Sequence, residues 1–413
     1  MNTIQWTQHP VGHGGFHTGQ MENENGDLFT WIFDCGSRRN KEFDAYLRAW
    51  TNQQHSPVDW LFISHFDFDH VSGLETLMSR CIVREVMIPY VNERELVYVL
   101  LEEIGRGNLN RSLVELIADP AGFFISRGAS RITFINGAGP EKRSEPENPD
   151  SPPDQDGQPG NVNNTPWKTK IDKPLQQLDS PIWAKQNYQV FSIDGGSCSI
   201  TVGHKSIGLR LKPYRAPISK SNHLQMLADV LALLGRKYYH PNPRPGLRSL
   251  AYDIALHART NEGRKELKEI HKKYVGSSNR ASLSLLSEPI NFPPNSAYCE
   301  VSISPFYYSS HIVAGWMNTG DAELLAASDL ADWKACYSQH LKDIRVLALP
   351  HHGSDKNSDA QLQAICPNAI LTAHVKSTSK HHPGSNVSKI ARNRLNCVTE
   401  NPLTTASMRF ASN

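Results

Sequence analysis

Val58-Asp59-Trp60-Leu61-Phe62-Ile63-Ser64-His65-Phe66-Asp67-Phe68-Asp69-His70-Val71-Ser72-Gly73 is the stretch that decides how this chain folds. Its opening apolar run is the mark of a short buried strand. The run from Val71 to Cys81 reads as a helix. On the turn between them, four metal-capable side chains fall within six residues. Imidazoles and carboxylates together suit zinc, manganese or iron. Such a turn lets His65 and Asp67 point one way and Asp69 and His70 another, enough to begin two adjacent sites. Asp69 alone could cap the helix. Four such residues in this order exceed what capping needs.

Outward from this turn, strands and helices alternate. Leu28–Ser37 is rich in β-branched and aromatic residues and reads as a strand, followed by a helix from Arg39 to Thr51. Val83–Tyr90 is a strand, Arg94–Gly105 a helix and Arg131–Gly137 a strand. Ala281–Pro289, His311–Asp321, Ile344–Ser354 and Ala369–Val375 supply further core strands. The alternation predicts an α/β layered fold. Between the two halves, 1–136 and 276–413, lie two other regions. Residues 137–180 are proline-rich with few apolar residues to bury, and read as a flexible insert. Residues 181–275 form a basic, partly helical insertion, with Leu224, Leu227, Leu231 and Leu234 on one helical face.

The chain has 413 residues, 39% apolar and 20% charged, an ordinary globular composition that excludes collagen, coiled coil and wholesale disorder. No apolar run approaches the roughly 20 residues of a membrane-spanning helix, and Met1–Pro10 holds no signal core. A soluble cytoplasmic protein is expected. Seven scattered cysteines without a CxxC pair predict reduced thiols rather than a disulfide frame or a cysteine-zinc site. The net charge of +2 hides an asymmetry, because His204–Arg280 carries 16 Lys and Arg against 5 Asp and Glu. That block is either a polyanion-binding surface or a solvated helix face with local ion pairs.

The sequence His65-x-Asp67-x-Asp69-His70 followed by Val71-Ser72-Gly73 resembles the metallo-β-lactamase signature His-x-His-x-Asp-His-x-x-Gly. Asp67 stands where the family usually has its second histidine; some branches, notably the di-iron flavoproteins, carry an acidic residue there. Further elements match in order. Phe33-Asp34-Cys35-Gly36 resembles the early Asp-x-Gly, whose aspartate supports the metal loop. Thr319-Gly320-Asp321 resembles the element carrying the metal-bridging aspartate. Leu349-Pro350-His351-His352-Gly353-Ser354 resembles the late histidine element, and His382-Pro383 the terminal His-Pro. With Asn279-Arg280-Ala281-Ser282-Leu283 and Val11-Gly12-His13-Gly14, where His13 replaces a glutamine, the series resembles the hydrolase domain of the DNA-uptake channel ComEC.

The resemblance implies an αββα sandwich holding one or two divalent metal ions, zinc or manganese foremost. It implies His70, Asp69, Asp321 and one of His351 and His352, with His352 favoured, at the firmer metal. His65 and Asp67, with Asp321 bridging, would hold the weaker one. The histidine that usually completes that second set has no counterpart among His204, His223, His240, His257, His271 and His311. Asp69 and His382 are the catalytic candidates, with His382 stabilising charge or protonating the leaving oxygen. Ser354 and Asn279 are expected to orient loops. The expected activity is hydrolysis by a metal-bound hydroxide, with DNA the first choice of substrate given the basic block. Free-standing relatives of this type imply an antiphage effector beside a sensor protein partner. A small-molecule hydrolase (ester, lactam or cyclic nucleotide) and a non-catalytic binding protein with a degenerate metal site are the competing readings.

Overall fold

The run from Val58 to Phe62 is apolar on both faces because both are buried. Leu61 and Ile63 face one hydrophobic cluster, Trp60 and Phe62 another. That is period-2 alternation in a strand covered on each side. The computed structural model describes residues 2–38, 40–90, 93–137, 166–173, 175–177, 189–196, 198–204, 207–216, 223–238, 247–274, 282–290, 297–303, 306–310 and 314–412.

The strands are β1 (Asn2–Gln8), β2 (Gly14–Glu22), β3 (Leu28–Ser37), β4 (Val58–Phe62), β5 (Val83–Pro89), β6 (Arg131–Asn136), β7 (Lys168–Ile171), β8 (Gln176–Gln177) and β9 (Gln189–Asp194). They continue with β10 (Ile200–His204), β11 (Ile207–Tyr214), β12 (Ser284–Ile290), β13 (Ala297–Ile303), β14 (Phe306–Ser310) and β15 (Gly315–Asn318). The last are β16 (Ile344–Ala348), β17 (Ile370–His374), β18 (Leu395–Val398) and β19 (Ala406–Ser412).

They form two mixed sheets, an 11-stranded one in the order β14-β13-β19-β1-β2-β3-β4-β5-β6-β9-β8 and an 8-stranded one in the order β18-β17-β16-β15-β12-β11-β10-β7. The core between the sheets is aromatic, with Trp6, Trp31, Trp60 and Phe62 of the first meeting Leu209, Leu285, Trp316 and Val346 of the second. Outside the first sheet lie α1 (Asn40–Gln53), α2 (Phe68–Val71), α3 (Leu74–Arg80), α4 (Glu93–Arg106), α5 (Arg111–Ala118) and α6 (Pro120–Ile125). Helices Ala327–Cys336, Ala360–Ile365 and Ser385–Ala391 cover the second. The layers are consistent with the expected αββα sandwich.

The segments between the expected halves differ from a simple insertion. β7 and β8 lie within 137–180, and β9, β10 and β11 are members of the two sheets. Ile200, Val202, Ile207, Leu209 and Leu211 are buried between the sheets, an apolar pattern masked in the sequence by intervening polar and basic residues. The helical part is His223–Tyr238, Leu247–His257 and Asn261–Lys273, which packs on α4 and α5. Residues 138–165 of the proline-rich tract lie outside the described residues, as do Asn279, Arg280 and Ala281. The seven cysteines are free, as expected of reduced thiols.

Two parallel runs position the site. β3, β4, β5 and β6 are parallel neighbours in the first sheet, and β15, β16, β17 and β18 in the second. Asp34 sits at a bulge inside β3, and the turns at the carboxyl ends of β4, β15 and β16 carry Ser64–His70, Asp321 and His351–His352. The Leu283 N–H donates to the Ser64 carbonyl (2.8 Å) and the His351 N–H to the Gly320 carbonyl (3.1 Å), locking these turns together across the sheets.

Candidate metal centre

The turn after β4 is held from below by Asp34, in the left-handed region at φ 59°. Its carboxylate accepts from the Ser64 N–H (2.7 Å), the Ser64 hydroxyl (2.7 Å) and His70 Nδ1 (2.8 Å). His70 is thereby turned so that Nε2 faces Asp321 Oδ1 at 3.2 Å. His65 is fixed in the same way: Nδ1 meets Ser64 Oγ at 2.8 Å and Ser282 Oγ at 3.3 Å, leaving Nε2 between Asp67 Oδ2 (3.5 Å) and Asp321 Oδ2 (3.6 Å). Ser282 also accepts the Asp321 N–H at 2.9 Å.

His351 and His352 follow β16 with φ of 47° and 57°, a double left-handed turn that sends both rings toward Asp321. His352 is 3% exposed; its Nε2 lies 3.5 Å from Asp69 Oδ2 and 4.0 Å from Asp321 Oδ1. His351 Nε2 lies 3.7 Å from Asp321 Oδ2, and its Nδ1 meets Asn357 Oδ1 at 3.0 Å. His382 is half-buried beside them, stacked 5.7 Å from the His351 ring. The structure therefore brings His65, Asp67, Asp69, His70, Asp321 and His352 together, with His351 and His382 at their edge. Ser354 is buried in the following loop, where its Oγ accepts the Lys356 N–H at 3.2 Å.

Three partners were not evident from the sequence. Arg38 Nε donates to Asp69 Oδ2 at 2.9 Å. Arg106, at the end of α4, holds Asp67 Oδ2 together with Glu103 (2.8 Å) and Glu102 (2.7 Å). The His13 ring lies 4.1 Å from that of His352. No spacing links these residues to the motif. Two more histidines, the buried His17 and the half-buried His374, stand just behind the site, with Nε2 of each lacking a hydrogen-bond partner. The other described histidines of the basic region stand elsewhere: His204 against Asn23 and Trp167, His257 on Glu266, and His271 against Tyr98. Nothing is described of the His223 side chain, and His240 and His311 lie outside the described residues.

Charge is arranged to keep the donors deprotonated. Burial pushes Asp69 and Asp321 up, but neighbouring histidines, with Arg38 at Asp69, outweigh it and hold both well below the usual carboxylate range. Burial lowers His352, and brings His382 down to about 4 with help from His352 and His351. His70 and His65 are the exceptions: burial opposes their charge, yet Asp321 and Asp34 hold His70 well above its ordinary value, and Asp67 and Asp321 raise His65.

Nε2 of His65, His70 and His352 and Oδ1 of Asp67 and Asp321 are buried and make no hydrogen bond. A stranded buried polar atom costs roughly 1–3 kcal/mol, so a convergence of several demands an explanation. Among the described residues, two triads can each hold a metal ion: His65, His70 and Asp321, and His13, Asp69 and His352, with ligand atoms of each triad within 4.8 Å of one another. Ionised carboxylates and imidazole nitrogens facing one another are the donor set of a divalent transition metal, so the residues fit. The cavity enclosed behind them is only about 20 Å³. A cavity of about 530 Å³, lined by Ile104, Val114, Tyr252 and Arg259 among others, lies away from these donors.

A family model described as the Metallo-beta-lactamase superfamily matches residues 25–96, the span from β3 through the His65–His70 turn to the start of α4. The two mixed sheets are consistent with the αββα sandwich of that superfamily. Among solved structures, the chain is similar to a "long form RNase Z from yeast", at 7% identity and a TM-score of 0.32, over 91% of this chain and 36% of that one. The chain thus spans about 36% of the length of that structure. No match is found among curated proteins.

Proposed function

We propose that this chain is a metal-dependent hydrolase that cleaves phosphodiesters, with DNA as its substrate. The observation that carries the reading is the set of buried, unpartnered nitrogen and oxygen atoms converging from the three turns after β4, β15 and β16. His70, Asp69, Asp321 and His352 would hold the firmer metal, and His65, Asp67 and Asp321 the weaker. When bound, the metal supplies a water of lowered pKa and a Lewis acid for the attacked group.

The chain's own residues set up the rest. Asp34 and Ser64 orient His70 and His65. Arg38 and Arg106 fix which carboxylate oxygens of Asp69 and Asp67 remain for the metal. His382, brought down to about 4, is neutral at pH 7. It therefore supports charge on the attacked group as an N–H donor, rather than as an imidazolium acid.

Phosphate preference is supported by the basic helix Asn261–Lys273, where Lys265, Lys272 and Lys273 are exposed. His271 of that helix touches Tyr98 of α4, the helix whose Arg106 holds Asp67, so the basic layer adjoins the site. The basic block is not one surface, however. Lys212 and Arg215 are buried and Arg210 pairs with Glu288 inside the sandwich. The ordered series of motifs supports a ComEC-like branch, hence a nuclease acting as an antiphage effector with a sensor protein. None of the described helices is long and apolar enough to cross a membrane.

The test is cleavage of plasmid, linear and single-stranded DNA by purified protein, metal-free and with manganese, zinc or magnesium, beside Asp69→Ala. Metal-dependent cutting lost in the variant is expected. Metal-loaded protein that cuts none of these substrates would move the reading to a small-molecule ester, lactam or cyclic nucleotide.

A further inference from the structure

His13 belongs to no motif of the metal turn, yet the fold delivers it there. It sits in the loop between β1 and β2, flanked by Gly12 at φ 74° and Gly14 at φ 151°. The loop runs hard against the backbone behind Asp69: a Cβ on Gly14 would lie 2.4 Å from the Gly36 carbonyl oxygen and 2.7 Å from that of Asp69. Only glycine permits both this approach and this φ. The loop is then tied down, because the Arg38 N–H donates to the His13 carbonyl (2.9 Å) and the Ser37 hydroxyl to the Val11 carbonyl (2.8 Å). The backbone of His13 is therefore as fixed as that of the metal turn.

The side chain points inward. His13 is 7% exposed, and its Nε2 is buried without a hydrogen-bond partner. It offers a ligand atom within 4.8 Å of those of Asp69 and His352. A buried imidazole with an idle nitrogen is costly, and packing alone would be served better by an apolar ring. No described histidine between Asp69 and Asp321 reaches the site from the basic region, since His204, His257 and His271 have other neighbours. The N-terminal loop instead contributes an extra imidazole.

We infer that His13 is a metal ligand, completing with Asp69 and His352 a three-residue site contributed by three separate turns of the fold. The inference rests on the metal-binding reading proposed above and adds a ligand to it. The His13 ring lies over His352 and 5.1 Å from His382, so this ion would stand between Asp69 and the half-buried His382 side of the site.

The experiment measures metal binding by the full chain after stripping with chelator. Mn²⁺ and Zn²⁺ are titrated calorimetrically, retained ions are counted by elemental analysis, and the visible spectrum of the Co²⁺-loaded protein is recorded. The proteins compared are wild type, His13→Ala, His13→Phe and, as a control, His55→Ala, a change at an exposed residue remote from these donors. His13→Phe keeps the ring packed on His352 but removes the nitrogen. Matching metal-free melting temperatures establish that the variants fold. The inference expects both His13 variants to lose one ion's binding, or to weaken it at least about tenfold, with a changed Co²⁺ band, while His55→Ala matches wild type. Loss in His13→Ala with recovery in His13→Phe would make His13 a packing residue and overturn the inference. So would wild-type stoichiometry, affinity and spectrum in both variants, and there the metal reading would survive. A wild-type chain that takes up no ion would overturn that reading and the inference together.

Discussion

Replacing Asp34 separates folding from metal binding. Asp34 is 1% exposed and accepts three hydrogen bonds, at 2.7, 2.7 and 2.8 Å. Asp34→Ala strands the Ser64 N–H, the Ser64 hydroxyl and His70 Nδ1. At about 1 kcal/mol each, with about 1 kcal/mol more for placing alanine at positive φ, the cost is about 4 kcal/mol. Asp34→Asn is milder. Asparagine tolerates the left-handed backbone, and its carbonyl oxygen still accepts the Ser64 N–H. Its amide, however, presents N–H groups where the carboxylate accepted from His70. His70 must then take its proton on Nε2, the atom that faces Asp321, and is lost as a ligand. The expected result is a metal affinity reduced roughly 10- to 100-fold, about 1.4–2.7 kcal/mol, with much less loss of stability than in Asp34→Ala. Urea unfolding of the metal-free proteins and calorimetric metal titration measure the two effects. Wild-type metal affinity in Asp34→Asn would refute the claim that Asp34 sets the tautomer of His70.

Two further predictions concern stability. Arg106→Ala leaves the buried carboxylates of Asp67 and Glu103 without their cation, and Glu103 already sits up at about 7 through burial and the charge of Asp67; a loss of roughly 3 kcal/mol is expected in urea unfolding, only partly restored by lysine, which lacks the guanidinium fork, and an unchanged midpoint would count against the network. Glu288 is pushed up by burial, but His340 (2.8 Å) and Arg210 (2.6 Å) outweigh this and hold it below its ordinary 4.5. Its stabilising effect is therefore present above pH 4.5 and fades as pH falls from there toward the folded value, so Glu288→Gln should flatten the acid limb of a stability-against-pH curve, and equal slopes in the two proteins would reject this.

What the sequence made legible was the part of the site that lies in contiguous motifs. Ser64–His70, Thr319–Asp321 and His351–His352 each follow an apolar run that can only be a buried strand, so each had to emerge at a strand end. Asp34 was legible through the Asp-x-Gly element, although it lies inside β3 rather than at its end. Arg38, Arg106 and His13 were not, because their roles arise from tertiary proximity: one follows β3, one ends a helix of the outer layer, and one sits in a glycine-flanked loop. The sheet strands β10 and β11 escaped notice because charge dominated the reading of their region. Arg210 and Lys212 alternate there with Leu209 and Leu211, and the fold accommodates these cations inside, Arg210 paired with Glu288. His17 and His374 carry no local signal at all, being single histidines within β2 and β17.

The pairing of β1 with β19, continuous from Asn2↔Ser412 to Gln8↔Ala406, has a consequence for biogenesis. β19 lies between β13 and β1 in the sheet. While the chain is being translated, β1 can pair with β2 soon after both leave the ribosome, but its other edge stays open until β19 (Ala406–Ser412) has been made. An unpaired strand edge is a template for wrong partners, and contacts this distant in sequence form late. The hairpin carrying His13, with the turn of Asp69 and His70, is thus built early and waits beside an exposed edge for its closing strand. Productive synthesis of this fold should accordingly depend on a holdase that shields nascent β1, and expression should suffer from changes that slow translation between β2 and β19.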